Sequence, residues 1–248
     1  MNQAESAIAE MLEAQKKSGK PLAVVLAGHN GSGKSTLWEK RLAKSMQIPL
    51  VNADRMMLSI LPAADEKGHL PLWAQNLRDQ NRDWMKVAQN GVQYFVAQAM
   101  VFKVPFAMET VFSHWKARPD GTFESKIDLI RQMQEADYFV LLLFVGLSNS
   151  DLSIARVMTR VAAGGHNIDA ETLKDRFPRT QRAIFHASSV ADATILFDNS
   201  REEKQAFTVC RVQLKAEEKY DRRASTRKVE PAILEWLNVV APRDPSSE

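Results

Sequence analysis

A glycine-rich loop that ends in a lysine and a serine carries the clearest chemistry in this sequence. It runs Gly28-His-Asn-Gly-Ser-Gly33-Lys34-Ser35-Thr36 and matches the spacing of a phosphate-binding loop, Gly-x-x-x-x-Gly-Lys-Ser. Its glycines let successive N–H groups turn toward an anion, Lys34 supplies charge for the β and γ phosphates, and the Ser35 hydroxyl is suited to hold Mg²⁺. We therefore predict that it binds a nucleoside triphosphate. The predicted nucleotide-binding residues are Gly28, His29, Asn30, Gly31, Ser32, Gly33, Lys34, Ser35 and Thr36.

Two further strands are predicted to end in polar residues. The short strand 48–51 leads to Asn52 and Asp54, and the strand 105–113 contains Glu109 and Thr110. Ligands in open α/β folds sit at the carboxyl ends of the strands, so these side chains are the predicted substrate-binding residues. A carboxylate there can orient and deprotonate an alcohol, which makes Asp54 the candidate base. The alternative for Asp54 is an N-cap of the following helix.

The most continuous apolar run, residues 138–145, predicts a buried strand that ends in Gly146 without an acidic residue. The carboxylate that assists Mg²⁺ must then come from elsewhere, and Asp54 and Glu109 are the candidates. Glu109 has two other readings: it could bind substrate hydroxyls, or it could be an acid that is only hydrogen-bonded at a strand end.

A glycine-rich loop, Gly164-Gly-His166, lies between two predicted helices that carry arginines. These arginines are Arg156, Arg160, Arg176, Arg179 and Arg182. Guanidinium groups brought over the phosphates neutralise charge during phosphoryl transfer, so we predict a closing lid at about residues 150–187. The alternative is a pair of surface helices with solvated basic faces.

These motifs need a scaffold, and the predicted elements supply an α/β fold of the P-loop kinase type. We predict a parallel five-stranded sheet flanked by helices, with the arginine-bearing lid. Residues 1–20 contain an amphipathic helix (3–18) that either packs on the sheet or covers the nucleotide site. The kinase domain spans 21–214, with closing strands at 193–197 and 206–214, and 215–248 are predicted as a mobile charged linker and a last helix.

The composition narrows the partners and the compartment. The 33 basic and 30 acidic residues leave a net charge of +3, too balanced to indicate a nucleic-acid-binding protein. The single cysteine, Cys210, excludes an internal disulfide and favours a reducing compartment. The N-terminal residues do not resemble a signal peptide, and no apolar run is long enough for a membrane span. We expect a soluble cytoplasmic protein that binds neither nucleic acid nor membrane.

These residues predict an enzyme, a phosphotransferase that acts on an alcohol group. One alternative is an ABC-type ATPase, because such proteins often have this phosphate-binding loop, but the chain lacks a Leu-Ser-Gly-Gly-Gln signature and an Asp-Glu at the end of an apolar strand. A non-catalytic nucleotide-binding module is the other alternative, and the intact Lys34, Ser35 and Asp54 argue against it.

The order of these motifs resembles the zeta-toxin family of P-loop kinases over roughly residues 20–200. The matching segments are Gly28 to Thr36, Asn52-Ala-Asp54, Glu109-Thr110 and Arg160-Val-Ala-Ala-Gly-Gly-His166 through Arg176. The resemblance implies transfer of the γ-phosphate of ATP or GTP, with Mg²⁺, to the sugar 3′-hydroxyl of UDP-N-acetylglucosamine. It also implies an antitoxin protein as a partner.

The resemblance assigns roles to individual residues. Lys34 and Ser35 would hold the triphosphate and Mg²⁺, and Asp54 would be the base. Glu109 would contact the acceptor, while Arg160 and Arg176 would stabilise the transferred phosphoryl group.

Overall fold

A computed structural model of the protein describes residues 2–66, 68–162, 165, 168–225 and 228–243. The helices are α1 (Gln3–Ser18), α2 (Lys34–Leu37), α3 (Ala43–Met46), α4 (Ala53–Ser59), α5 (Leu72–Gln80), α6 (Arg82–Phe102), α7 (Ile127–Glu135), α8 (Ser150–Ala162), α9 (Ala170–Ser188) and α10 (Pro231–Val240). The strands are β1 (Leu22–Gly28), β2 (Leu50–Val51), β3 (Phe106–Thr110), β4 (Trp115–Ala117), β5 (Phe123–Ser125), β6 (Phe139–Gly146), β7 (Ala193–Asp198), β8 (Thr208–Leu214) and β9 (Glu217–Asp221). A π-helical stretch, Trp38–Leu42, joins α2 to α3.

The main sheet has the strand order β2-β3-β1-β6-β7-β8-β9. Its first five strands pair in parallel, which confirms the predicted α/β fold with a parallel five-stranded sheet flanked by helices. From β1 the chain builds β2 and β3 on one side and β6 and β7 on the other. The carboxyl end of β1 is therefore the topological switch point, where open α/β sheets bind ligands.

Two antiparallel strands, β8 and β9, extend the sheet beyond the predicted five. Strand β9 lies within the segment 215–230, which we predicted to be a mobile linker, and that prediction is wrong for Glu217–Asp221. The charged sequence of this segment gave no sign of a strand, because an edge strand needs few buried apolar residues. Only Asp221 of β9 is fully buried, and it pairs with Arg223 and Arg243.

The terminal helices belong to the core of the domain. Helix α1 begins with a capping box formed by Asn2 and Glu5, and it packs its buried side, which includes Ile8 and Met11, against the sheet. This is the first of the two alternatives for α1. Helix α10 buries Trp236 in the core on the opposite face. The predicted segments 1–20 and 215–248 are therefore packed against the sheet where the structure describes them.

Several boundaries differ from the sequence-based prediction for local reasons. Residues 72–104 form two helices, because Asn81 ends α5 and caps α6. The hairpin β4–β5 was not predicted, since its strands are only three residues long each. Among the described residues, no helix is long and apolar enough to cross a membrane.

The Tyr138 hydroxyl ties the start of β6 to the end of α6. It lies 2.6 Å from the Ala99 carbonyl oxygen and 2.9 Å from that of Val104, in a fully buried position. We expect Tyr138→Phe to lower the free energy of unfolding by about 0.5–1.5 kcal/mol, because a buried hydroxyl hydrogen bond is lost while the Ala99 carbonyl keeps its bond from the Val104 N–H. Chemical denaturation measures this, with Tyr94→Phe as the control, since Tyr94 is 70% exposed. Equal stability of the two variants would contradict the prediction.

Candidate active site

The phosphate-binding loop connects the buried strand β1 to helix α2, as its sequence predicts. Lys34 is the first residue of α2 and is buried, and its ammonium group donates to the carbonyl oxygens of Gly28 at 3.1 Å and of His29 at 2.9 Å. These bonds hold the lysine along the inside of the loop. Its charge therefore lies at the switch point of the sheet.

Glu109 lies beside the loop, because β3 pairs with β1 in a register that places Glu109 opposite Leu26. The Ser35 hydroxyl lies 3.0 and 3.2 Å from the two Glu109 carboxylate oxygens and donates to this carboxylate. The same carboxylate is 4.0 Å from the Lys34 ammonium group. Glu109 thus contacts the side chains of both Lys34 and Ser35, and its role in binding substrate or Mg²⁺ stays a prediction.

The pKa of Lys34 also depends on the charges of Asp54 and Arg160, which lie on other elements. Burial lowers the pKa of Lys34, and the positive charge of Arg160 lowers it further, whereas the carboxylates of Glu109 and Asp54 raise it. The net shift is downward. The charges of Asp54 and Arg160 therefore both contribute to the electrostatic environment of Lys34.

Asp54 and Asn52 have separate positions at the start of α4. Asn52 caps the helix, and its side-chain oxygen accepts from the N–H groups of Asp54 at 2.7 Å and Arg55 at 3.2 Å. The alternative of Asp54 as the N-cap is therefore wrong. Within the described part of the chain the Asp54 carboxylate accepts no hydrogen bond, and the residue is exposed. Thr110 accepts from the Phe112 N–H at 3.3 Å and supports the turn after β3.

Both predicted lid helices pack directly on the phosphate-binding loop. The Ser153 hydroxyl on α8 donates to the Asn30 carbonyl oxygen at 2.7 Å. Gly31 has a φ of +70°, and a Cβ at this position would lie 3.0 Å from the Cβ of Arg156. On α9, the ring of Phe177 stacks on His29 with 3.9 Å between the ring centroids. The predicted Gly-Gly-His loop lies outside the described residues except for Gly165.

The arginines of the two helices differ in their surroundings. Arg160 acts on Lys34, as described above, whereas the charge of Arg176 acts on Asp169, the N-cap of its own helix. Arg179 pairs with Asp175 one turn away, and Arg182 is exposed. The roles of Arg160 and Arg176 in phosphoryl transfer both stay predictions.

His29 is a neutral aromatic contact in the loop. Burial and the nearby charge of Lys34 lower the pKa of His29 to about 3. The ring packs between Phe177 and Phe144, and its Nε2 atom has no hydrogen-bond partner among the described residues. His29 therefore joins the loop to α9 and to the core, and it carries no charge near neutral pH.

Asn199 contacts the loop and was missed by the sequence analysis. It follows β7, and its side-chain amide donates to the Ser32 carbonyl oxygen at 2.8 Å in a buried position. The available signal was its place directly after a strand that ends at the ligand-binding edge. No motif links it to residues so distant in the chain.

The family of the chain follows from comparison with known proteins. A family model described as Zeta toxin matches residues 6–207. The chain belongs to the zeta toxin family. A protein of Haemophilus influenzae described as uncharacterised is also similar, with 26% identity over 155 residues, which cover 62% of this chain and 91% of that protein.

Solved structures share the fold of this zeta toxin family member at low sequence identity. The structure of the PezAT chromosomal toxin–antitoxin system of Streptococcus pneumoniae matches with a TM-score of 0.52 and 13% identity, over 98% of this chain and 89% of that chain. The AvrRxo1-ORF1:AvrRxo1-ORF2 structure with sulphate ions matches with a TM-score of 0.60 and 15% identity, over 99% of this chain and 72% of that chain. The AvrRxo1-ORF1:-ORF2 structure with ATP matches with a TM-score of 0.59 and 16% identity, over 99% and 71%.

Proposed function

We propose that this zeta toxin family member is a kinase that transfers the γ-phosphoryl group of ATP or GTP to a hydroxyl of a small molecule. The observation that carries the proposal is the contact of Glu109 on β3 with Lys34 and Ser35 of the phosphate-binding loop, with the charges of Asp54 and Arg160 also acting on Lys34. A loop that only binds nucleotide needs neither a carboxylate from α4 nor an arginine from α8.

The residues of the cluster suit a triphosphate with Mg²⁺. The Ser35 hydroxyl and the Glu109 carboxylate lie 3.0 Å apart and are hard oxygen ligands, which Mg²⁺ prefers alongside water and phosphate oxygens. Ser35 would bind the ion, and Glu109 would bind it or its water. When bound, Mg²⁺ would neutralise charge on the phosphates. When nucleotide binds, Lys34 would replace its hydrogen bonds to the loop carbonyl oxygens with bonds to phosphate oxygens.

Asp54 is the proposed base. The acceptor oxygen forms a bond to the γ-phosphorus, the bond from that phosphorus to the bridging oxygen breaks, and ADP or GDP leaves. The Asp54 carboxylate takes the hydroxyl proton. Arg160, and Arg176 by the family resemblance, would offset the negative charge that spreads over the phosphoryl oxygens. Asn52 and Thr110 remain candidate substrate contacts beside their structural hydrogen bonds.

UDP-N-acetylglucosamine is the proposed acceptor, because family membership makes it the first hydroxyl-bearing compound to test. The similar solved structures are described as a toxin–antitoxin system and as two-protein complexes, and they support an antitoxin protein as a partner. The alternatives are an ABC-like ATPase and a nucleotide-binding module. The kinase is favoured over both because Glu109 contacts Lys34 and Ser35, and because the charges of Asp54 and Arg160 act on the same lysine.

The test is an incubation of the purified protein with Mg-ATP and UDP-N-acetylglucosamine, followed by mass spectrometry of the acceptor. We expect a gain of one phosphoryl group, and no gain with Lys34→Ala, because the lysine charge contacts the transferred group. If ATP binds but UDP-N-acetylglucosamine is not phosphorylated, the acceptor is a different compound. ATP consumed with only free phosphate formed would contradict the kinase and support the ATPase.

A further inference from the structure

The peptide between Ser32 and Gly33 is held from outside the phosphate-binding loop. The Asn199 side-chain amide donates to the Ser32 carbonyl oxygen at 2.8 Å. The backbone of Asn199 is itself fixed, because its N–H donates to the Gly146 carbonyl oxygen at 3.1 Å and so continues the pairing of β7 with β6. The donor therefore comes from a rigid part of the sheet.

The Ser32–Gly33 peptide needs such a restraint. Gly33 has a φ of +91°. Because glycine has no side chain, the backbone at Gly33 has more conformational freedom than it would with any other residue. A Cβ on Gly33 would lie 2.7 Å from the Asn199 amide nitrogen and 3.5 Å from the Phe207 ring. Asn199 thus occupies the space beside Gly33, and a side chain on Gly33 would displace it.

In a trans peptide the carbonyl oxygen and the N–H point in opposite directions. Because Asn199 binds the Ser32 oxygen on the outer side, the Gly33 N–H points away from Asn199, toward the inner side where such loops hold phosphate. We propose that Asn199 is a positioning residue that fixes the Ser32–Gly33 peptide so that the Gly33 N–H donates to a nucleotide phosphate. This inference rests on the proposed nucleotide binding and adds a residue that no loop motif contains.

Binding of Mg-ADP, measured by isothermal titration calorimetry, tests the role without requiring phosphoryl transfer. We expect Asn199→Ala to weaken binding about tenfold, because one donor in the loop loses its orientation. Gln134→Ala is the matched control. The Gln134 amide also donates to a backbone carbonyl, that of Val190, at 2.8 Å, but it lies between α7 and the start of β7. The control is expected to bind Mg-ADP like the wild type.

Asn199→Asp separates orientation of the peptide from general damage to the fold. The aspartate has the shape of asparagine but, when ionised, only accepts hydrogen bonds, so it would repel the Ser32 oxygen. At about pH 8 we expect a loss of Mg-ADP affinity at least as large as for Asn199→Ala.

The outcomes distinguish this role from the proposed function. Binding by Asn199→Ala or by Asn199→Asp equal to the wild type at about pH 8 would overturn the role of Asn199 while leaving the nucleotide site in place. A wild-type protein that does not bind Mg-ADP would overturn both. A thermal melt of each variant without nucleotide shows whether Asn199→Ala folds. If it does not, the Mg-ADP affinity of Asn199→Asp tests the role of Asn199.

Discussion

Asp54→Asn is expected to reduce phosphoryl transfer by about a hundredfold or more while changing nucleotide affinity less than about threefold. The reason is that Asn keeps the shape of the side chain but cannot take the proton of the attacking hydroxyl. The position supports this role, because Asn52 forms the helix cap and the Asp54 carboxylate is exposed, with a charge that acts on Lys34. Single-turnover transfer and separate nucleotide titration measure the two quantities.

The chain contains a matched control for this substitution. Asn81 caps α6 as Asn52 caps α4, and its side-chain oxygen accepts from Asp83 at 3.1 Å, so Asp83 has the same place in its helix as Asp54. Asp83→Asn removes the same favourable charge from a helix N-terminus. We expect it to leave phosphoryl transfer unchanged. Equal losses in both variants would mean that Asp54 acts through helix stability and not as the base.

The parallel part of the sheet could be predicted because its strands are apolar on both faces. The seven residues of β1 and the eight of β6 are all buried, so their sequences contain uninterrupted apolar runs. Strand β9 lacks that signal, because it lies at the sheet edge and its first residues are exposed. Strand β8 was predicted as the closing strand 206–214, but no local pattern in β9 shows that it pairs with β8.

The candidate site shows the same division between local and tertiary information. Lys34 and Ser35 could be predicted from spacing, because loop and helix are adjacent in sequence. Glu109 could be placed at the correct edge, but its contact with Ser35 depends on the register between β3 and β1. Asn199 could be placed at the ligand-binding edge, but its bond to Ser32 could not be predicted, since it joins residues 167 positions apart through the packing of β7.

The two helices after β6 were predicted to form a lid, and their packing refines this idea. Ser153 and Phe177 attach α8 and α9 to the phosphate-binding loop, so neither helix is held by the Gly-Gly loop alone. Helices α8 and α9 therefore help to support the phosphate-binding loop. Closure of these helices over the site stays a prediction, and Arg160, in the last turn of α8, is the arginine whose charge acts on Lys34.

Arg160→Ala is expected to lower kcat by about a thousandfold, with a smaller change in nucleotide affinity. An arginine that offsets charge in the transition state stabilises that state more than the bound substrate, so its loss appears mainly in kcat. Arg160→Lys should recover only part of the rate, because an ammonium group cannot form the two parallel hydrogen bonds of a guanidinium. Steady-state kinetics with Mg-ATP and the phosphorylated acceptor as readout give kcat and KM for each variant.

Arg179→Ala is the control for a general effect of positive charge on the lid helices. Arg179 lies on α9 and pairs with Asp175 of the same helix, so its charge is already balanced locally. We expect its removal to change kcat less than about twofold, the usual result for an exposed ion pair. Equal losses for Arg160→Ala and Arg179→Ala would assign the effect to the overall charge of the helices. A kcat unchanged in Arg160→Ala would remove Arg160 from the phosphoryl-transfer step and leave Arg176 as the arginine to test.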